Sequence, residues 1–132
     1  MKLFVIILIL LFSFSISANE EMYYCSDIKS GGFQDNGSGY KLSSLVDKKF
    51  KIKINLSNQE IDSNDLEMRR GFVDEAKCST NINGNLLSCN NAYGHIFTFN
   101  SETFRYTLAF TFGNLTGVNN TMRLSYGTCE KF

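Results

Sequence analysis

Apolar and polar residues alternate with a period of two over much of this chain. In "KKFKIKINL" Phe50, Ile52, Ile54 and Leu56 fall on one face and Lys49, Lys51, Lys53 and Asn55 on the other, the pattern of a strand with one buried side. In "TFRYTLAFTF" Phe104, Tyr106, Leu108, Phe110 and Phe112 alternate with Arg105, Thr107, Ala109 and Thr111. The segments "EMYYC", "GYKLSSL", "GFVDEAKC", "LLSCN", "YGHIFTFN" and "TMRLSYGTC" predict further strands. Turn-forming stretches rich in Asn, Gly and Ser separate them: "FQDNGSG", "LSNQEI", "INGN", "NSET" and "GNLTGVNN". No segment carries helix caps around a 3.6-residue apolar stripe, and the best helical candidate is a short turn at "SNDLEMRR". About eight short strands at regular spacing predict an all-β fold: an antiparallel up-and-down barrel or sandwich.

The opening "MKLFVIILILLFSFSISANEE" departs from this pattern. One lysine, an apolar run from Leu3 to Phe12 and small residues at Ser15, Ser17 and Ala18 form the charged, apolar and small-residue regions of a secretory signal peptide. The run is short for a membrane span, which takes about 20 apolar residues. Residues 1–18 are therefore expected to be removed, leaving 19–132 as a single β domain in the periplasm or outside the cell, with no membrane span. The cut takes Lys2, one of 13 basic side chains, and none of the 13 acidic ones. A nearly neutral remainder is not suited to holding nucleic acid through its overall field.

The four cysteines, Cys25, Cys78, Cys89 and Cys129, all lie beyond the signal segment, and an even number in an exported chain predicts two disulfides. Cys78 and Cys89 sit symmetrically about Asn83-Gly84, so a two-residue hairpin turn there places them opposite one another. Parity puts that pair at a hydrogen-bonded position with Cα atoms about 5.5 Å apart; a wider turn would change the parity. Elimination then joins Cys25 in the first strand to Cys129 in the last, which ties the ends of a barrel together. The other two connectivities stay open on sequence alone. No C-x-x-C spacing supports a zinc or redox site.

"YYCSD" followed by "GF", the "KFKIKI" strand, "LLSCNNAYGHIFTFNSETFRY" and the terminal "SYGTCEKF" resemble small exported proteins of unknown function from marine bacteria, a likeness that implies export and no particular activity. Tyr23-Tyr24-Cys25 and Gly127-Thr128-Cys129 also resemble the ends of the periplasmic C-type lysozyme inhibitors, eight-stranded barrels whose first strand is bridged to a C-terminal cysteine. Where that family carries Ser-Gly-x-x-Tyr, this chain reads Ser38-Gly39-Tyr40-Lys41-Leu42, so the resemblance implies the barrel more than the inhibition.

Candidate chemistry is sparse. His95 is the single histidine, and no nucleophile, base and orienting acid are apparent around it; the chain is expected not to be an enzyme. The acidic stretch with Glu60, Asp62, Asp65 and Glu67 lacks EF-hand spacing and reads as a solvated loop, so neither a metal nor a cofactor is expected. Lys49, Lys51 and Lys53 form a row that either protects a sheet edge or contacts an anionic partner. The aromatic residues of the C-terminal half, with Leu108, Met122, Leu124 and Tyr126, are numerous enough to fill a small core. A barrel interior can instead hold one small ligand; in that reading Tyr93, His95, Phe97, Phe99, Phe104 and Tyr106 line the site. The sequence thus points to an exported binding or interaction module for an apolar small molecule or an envelope protein. The alternatives are a structural envelope protein with no dedicated site, or a protein binder of the lysozyme-inhibitor kind.

Overall fold

A computed structural model describes residues 20–35, 37–65, 72–111 and 121–132. The expected signal segment, most of the "SNDLEMRR" turn with Glu67, Phe112 and the "GNLTGVNN" turn lie outside the described residues. The described chain forms one antiparallel sheet of nine strands: β1 (Glu21–Asp35), β2 (Tyr40–Ser44), β3 (Lys49–Asn55), β4 (Glu60–Asp62), β5 (Lys77–Thr80), β6 (Leu86–Asn90), β7 (His95–Asn100), β8 (Arg105–Phe110) and β9 (Thr121–Lys131). Strands β5 to β9 form a meander. The long β1 pairs with β9, and on its other side with β3 along its first half and β2 along its second. The order β4-β3-β1-β9-β8-β7-β6-β5 curls until β4 and β5 approach, which gives a nearly closed, barrel-like sheet.

The alternation read from β3 is realised: Phe50, Ile52 and Ile54 are buried while Lys49 and Lys51 are exposed. Phe97, Phe99, Leu87, Tyr23, Tyr106 and Phe72 join them in one core. Each such side chain removed from water contributes about 1.5–3 kcal/mol. Most of the ring pairs pack edge-to-face or tilted, with Phe50 and Tyr106 centroids 5.3 Å apart and Tyr23 and Phe99 5.0 Å apart, while Phe97 and Phe99 lie nearly parallel at 6.5 Å, arrangements the ring quadrupole favours.

Both disulfides are present, Cys25–Cys129 and Cys78–Cys89. The hairpin between β5 and β6 is wider than a two-residue turn. Asn81 N–H donates to Leu86 O at 3.0 Å and the chain reverses over Ile82, Asn83, Gly84 and Asn85. Widening the loop by one residue on each side keeps Cys78 opposite Cys89 but moves them to the other kind of pair. Their Cα atoms are accordingly 3.9 Å apart, on the short side of the non-hydrogen-bonded spacing of about 4.5 Å.

Two elements differ from the sequence reading. "GFVDEAKC" is a strand only from Lys77; Val73–Glu75 form a 3-10 turn, because two consecutive acids break the alternation. Glu60–Asp62, read as loop, form the short β4 beside β3. Ile61 packs against the core there, and the Ser63 hydroxyl donates to Lys51 O.

Gly32 and Gly127 let β1 and β9 close on one another. A Cβ at Gly32 would lie 1.9 Å from Met122 O, and one at Gly127 2.0 Å from Ser26 O. Between them the ladder shifts at a bulge spanning Asp27 and Lys29, and such a bulge bends its strand and re-aims the side chains beyond it.

Candidate functional site

The six residues expected to line an interior pocket fall in different surroundings: Phe97, Phe99 and Tyr106 in the core, and Tyr93, His95 and Phe104 nearer the surface. Phe97 and Phe99 are 0% exposed and Tyr106 2%; they lie within the packed core. Tyr93 is exposed at the turn before β7, its hydroxyl donating to Glu75 Oε1 at 3.3 Å. Phe104 sits at the surface in the turn between β7 and β8, with φ 54°. His95, at the start of β7, is half-buried between Phe110 and Phe72, with centroids 4.7 and 6.0 Å away. Burial, and behind it the charge of Lys48, push the imidazole below its ordinary range, so the ring is neutral near pH 7.

The interior instead contains a polar cluster that the sequence reading missed. The Asp27 carboxylate has no exposed surface and accepts four hydrogen bonds: from Tyr106 Oη at 2.6 Å, Arg123 Nη2 at 2.7 Å, Ser30 Oγ at 2.8 Å and Lys48 N at 2.9 Å. Arg123 Nη2 also reaches Val46 O at 2.9 Å. Burial alone would raise the Asp27 pKa; the four donors outweigh it and hold the carboxyl below its ordinary value. Burial and the bond to Asp27 push the Tyr106 phenol up. A carboxylate so fully occupied is a poor proton acceptor, and the cluster clamps β1, β8, β9 and the segment before β3. A signal was available: Tyr23, Cys25 and Asp27 have the same parity in one strand.

The lysine row lies on the outer face of β3. Lys49 and Lys51 precede the part of β3 that pairs with β4, where exposed cations discourage edge pairing. Lys51 Nζ lies 5.9 Å from the Phe132 ring centroid, and Lys53 Nζ lies 3.9 Å from Glu20. Lys51 and Lys53 therefore have separate surroundings.

An extended apolar feature lies on the outer wall. In β9 the buried residues are Ser125, Gly127 and Cys129, while Leu124 is 60% and Tyr126 50% exposed. The strand is inverted relative to its hydrophobic pattern: the disulfide from Cys129 to Cys25 fixes which parity faces inward, so Leu124 and Tyr126 leave the core in which the sequence reading placed them. Beyond the bulge β1 likewise turns Ser30 inward and Phe33 outward.

Cross-strand partners share a face, and the register assembles these residues into rows. Ile96, Ala109, Leu124, Gly31 and Ser44 form one row across β7, β8, β9, β1 and β2. Met122, Phe33 and Leu42 form the next. Phe33 and Leu42 are 47% and 77% exposed. A groove of about 780 Å³ lies along these rows between Lys29 and Thr111, and one of about 480 Å³ continues past Tyr126 to Arg105 and Leu86. Tyr126 lines both. Isolated exposed apolar side chains are ordinary, whereas a contiguous apolar band with a groove calls for an explanation.

No family model, no curated protein and no solved structure matches the chain.

Proposed function

We propose that the protein is an exported, non-catalytic binding module whose binding face is the apolar trough on the outer wall of β1, β2, β8 and β9. The observation that carries this reading is the inversion of β9, which exposes Leu124 and Tyr126 and buries Ser125 and Gly127. A strand that exposes its apolar side without a partner forfeits burial worth about 1.5–3 kcal/mol per large side chain, and departures from local consistency of this kind are expected at functional sites. Export to the periplasm or beyond is supported by the signal-like opening of the sequence and by two disulfides, which persist in oxidising compartments. A non-catalytic role is supported by the four donors that occupy Asp27 and by a neutral His95 with no hydrogen-bonded carboxylate among the described residues.

The test is titration with the neutral fluorophore N-phenyl-1-naphthylamine. The wild-type protein is expected to raise its emission saturably at one site, and Leu124→Asp, a surface change, to abolish that rise with an unchanged circular dichroism spectrum. An equal rise with the variant would place the binding elsewhere. No rise with either protein would favour a structural envelope role, which the packed aromatic interior and the two staples would suit.

A further inference from the structure

We infer that the trough takes a single-chain amphiphile with an anionic head group, its head held at Tyr126 between Lys29 and Arg105 and its chain laid over Leu124, Gly31, Met122 and Phe33. This inference rests on the binding face proposed above and names what that face selects. Three observations carry it.

The first is charge. Among the described residues, the charged side chains lining the two connected grooves are Lys29, Arg105 and Arg123, none of them acidic. Arg123 is committed to Asp27, whereas Lys29 and Arg105 have no hydrogen-bond or ion-pair partner among the described residues. A groove elsewhere on the molecule, lined by Glu20, Glu60, Asp62 and Lys53, has the opposite balance. The trough is therefore complementary to an anion.

The second is the ordering of polarity along the strands. The outward row through Asn100, Arg105, Thr128 and Ser26 is polar and cationic, and the next contains Thr98, Thr107, Tyr126 and Lys29. The two beyond it are the apolar rows of Leu124 and of Met122. Tyr126 pairs directly with Lys29 on one side and with Thr107 on the other, with Arg105 two residues from Thr107. From Thr128 to Met122 the wall changes from cationic to apolar over about 20 Å at ~3.3 Å per residue. A molecule with a charged head and an extended chain matches that gradient; a wholly apolar ligand would leave the cationic half unused.

The third is the floor. Gly31 lies in the middle of the apolar rows, and a Cβ there would meet only Ser43 O at 3.5 Å, an ordinary contact. Unlike Gly32 and Gly127, it is not required by the approach of two backbones; its missing side chain leaves the groove open between Leu124 and Ser44. Gly31→Leu would fill that space and spare the fold.

The experiment is calorimetric titration of the oxidised protein with dodecanoate, dodecyl maltoside and dodecyltrimethylammonium, each below its micellar concentration. One dodecanoate per chain is expected, at least about tenfold tighter than the neutral or cationic amphiphile, the difference one charge-assisted contact supplies. The double variant Lys29→Gln, Arg105→Gln is expected to erase that preference and leave dodecyl maltoside affinity unchanged. Gly31→Leu is expected to lose all three ligands with an unaltered spectrum and urea midpoint. Equal affinity for the three heads, with loss in Gly31→Leu, would overturn the anionic head and leave the apolar binding face standing. No binding of any of them would overturn both. Association with phosphatidylglycerol vesicles but not with monomeric dodecanoate would also overturn it, in favour of a membrane surface as the occupant.

Discussion

At Asp27 the chain places a carboxylate inside a barrel, and its surroundings determine what that costs. Hydrogen bonds from Tyr106, Arg123, Ser30 and the Lys48 backbone replace its hydration, and removing one member of such a pair strands the other. Asp27→Asn is expected to destabilise the protein by about 3–5 kcal/mol in urea unfolding, because Arg123 keeps its charge in a site only 14% exposed. The pH dependence follows from the direction of the shift. The folded-state pKa lies below the unfolded value of about 3.9, so the stabilisation is complete above that value and is lost as pH falls through the folded pKa. Urea midpoints measured from pH 7 downward should fall more steeply below about pH 4 for the wild type than for the Asn variant; parallel curves would mean that Asp27 is not the titrating group. A second contrast concerns two glycines. Gly127→Ala would bring a Cβ to 2.0 Å from Ser26 O and 2.8 Å from Tyr106 Cε1, whereas Gly31→Ala meets only Ser43 O at 3.5 Å. The first is expected to cost about 1–3 kcal/mol or more and the second within about 0.5 kcal/mol of nothing, read from the same denaturation curves. Asp27 was legible in the sequence by parity with Tyr23 and Cys25. The partnership with Arg123 was not, since it spans 96 positions of the chain and depends on a bulge.

Among the elements, period-two patterning identified β1, β3, β7 and β8 because each has one apolar and one polar face. It located β9 and misjudged its orientation. The apolar parity of "TMRLSYGTC" is Met122, Leu124 and Tyr126, but Cys129 belongs to the opposite parity, and a cystine inside the barrel takes Ser125 and Gly127 inward with it. Two local signals disagreed and the covalent one prevailed. That disagreement was the mark of the candidate site available in the sequence; β4 offered no comparable signal, being three residues long. The two staples also differ in what they restrain. Cys25–Cys129 closes a sequence separation of 104 and Cys78–Cys89 one of 11. In the chain-entropy model a loop of about 100 residues is worth about 4.7 kcal/mol and one of about 15 near 3. Replacing Cys25 and Cys129 together by Ala should therefore lower the unfolding free energy by roughly 1–2 kcal/mol more than replacing Cys78 and Cys89. An equal loss from the two pairs would show that strain or residual structure, and not loop closure, governs their contribution.

For the molecule as a whole, the joining of first and last strands sets where the sheet can open. Because β1 lies between β9 on one side and β2 with β3 on the other, the chain's two end strands occupy the middle of the strand order. Among the described residues the free edges belong to short strands from the interior of the sequence, β4 and β5, with β2 exposing one edge beside the trough. Edge amides open without unfolding the core, and opening free energies range from near zero at such edges up to the global value in strands paired on both sides. Native-state hydrogen exchange is accordingly expected to give the slowest amides in the part of the β1–β9 ladder that pairs Tyr23 to Asp27 with Lys131 to Gly127, and amides in β4 and in β5 before Cys78 that exchange at least about a hundredfold faster. Cys78–Cys89 limits the opening of β5, so its reduction should increase exchange in β5 and β6 while leaving the β1–β9 ladder protected. Uniform protection across β4, β5 and β9 would mean that the seam between β4 and β5 is hydrogen-bonded in solution and the barrel fully closed. The trough lies on the protected wall of β1, β8 and β9, away from that seam. An amphiphile bound there needs no opening of the barrel to enter, and the binding face is held by the most persistent part of the sheet.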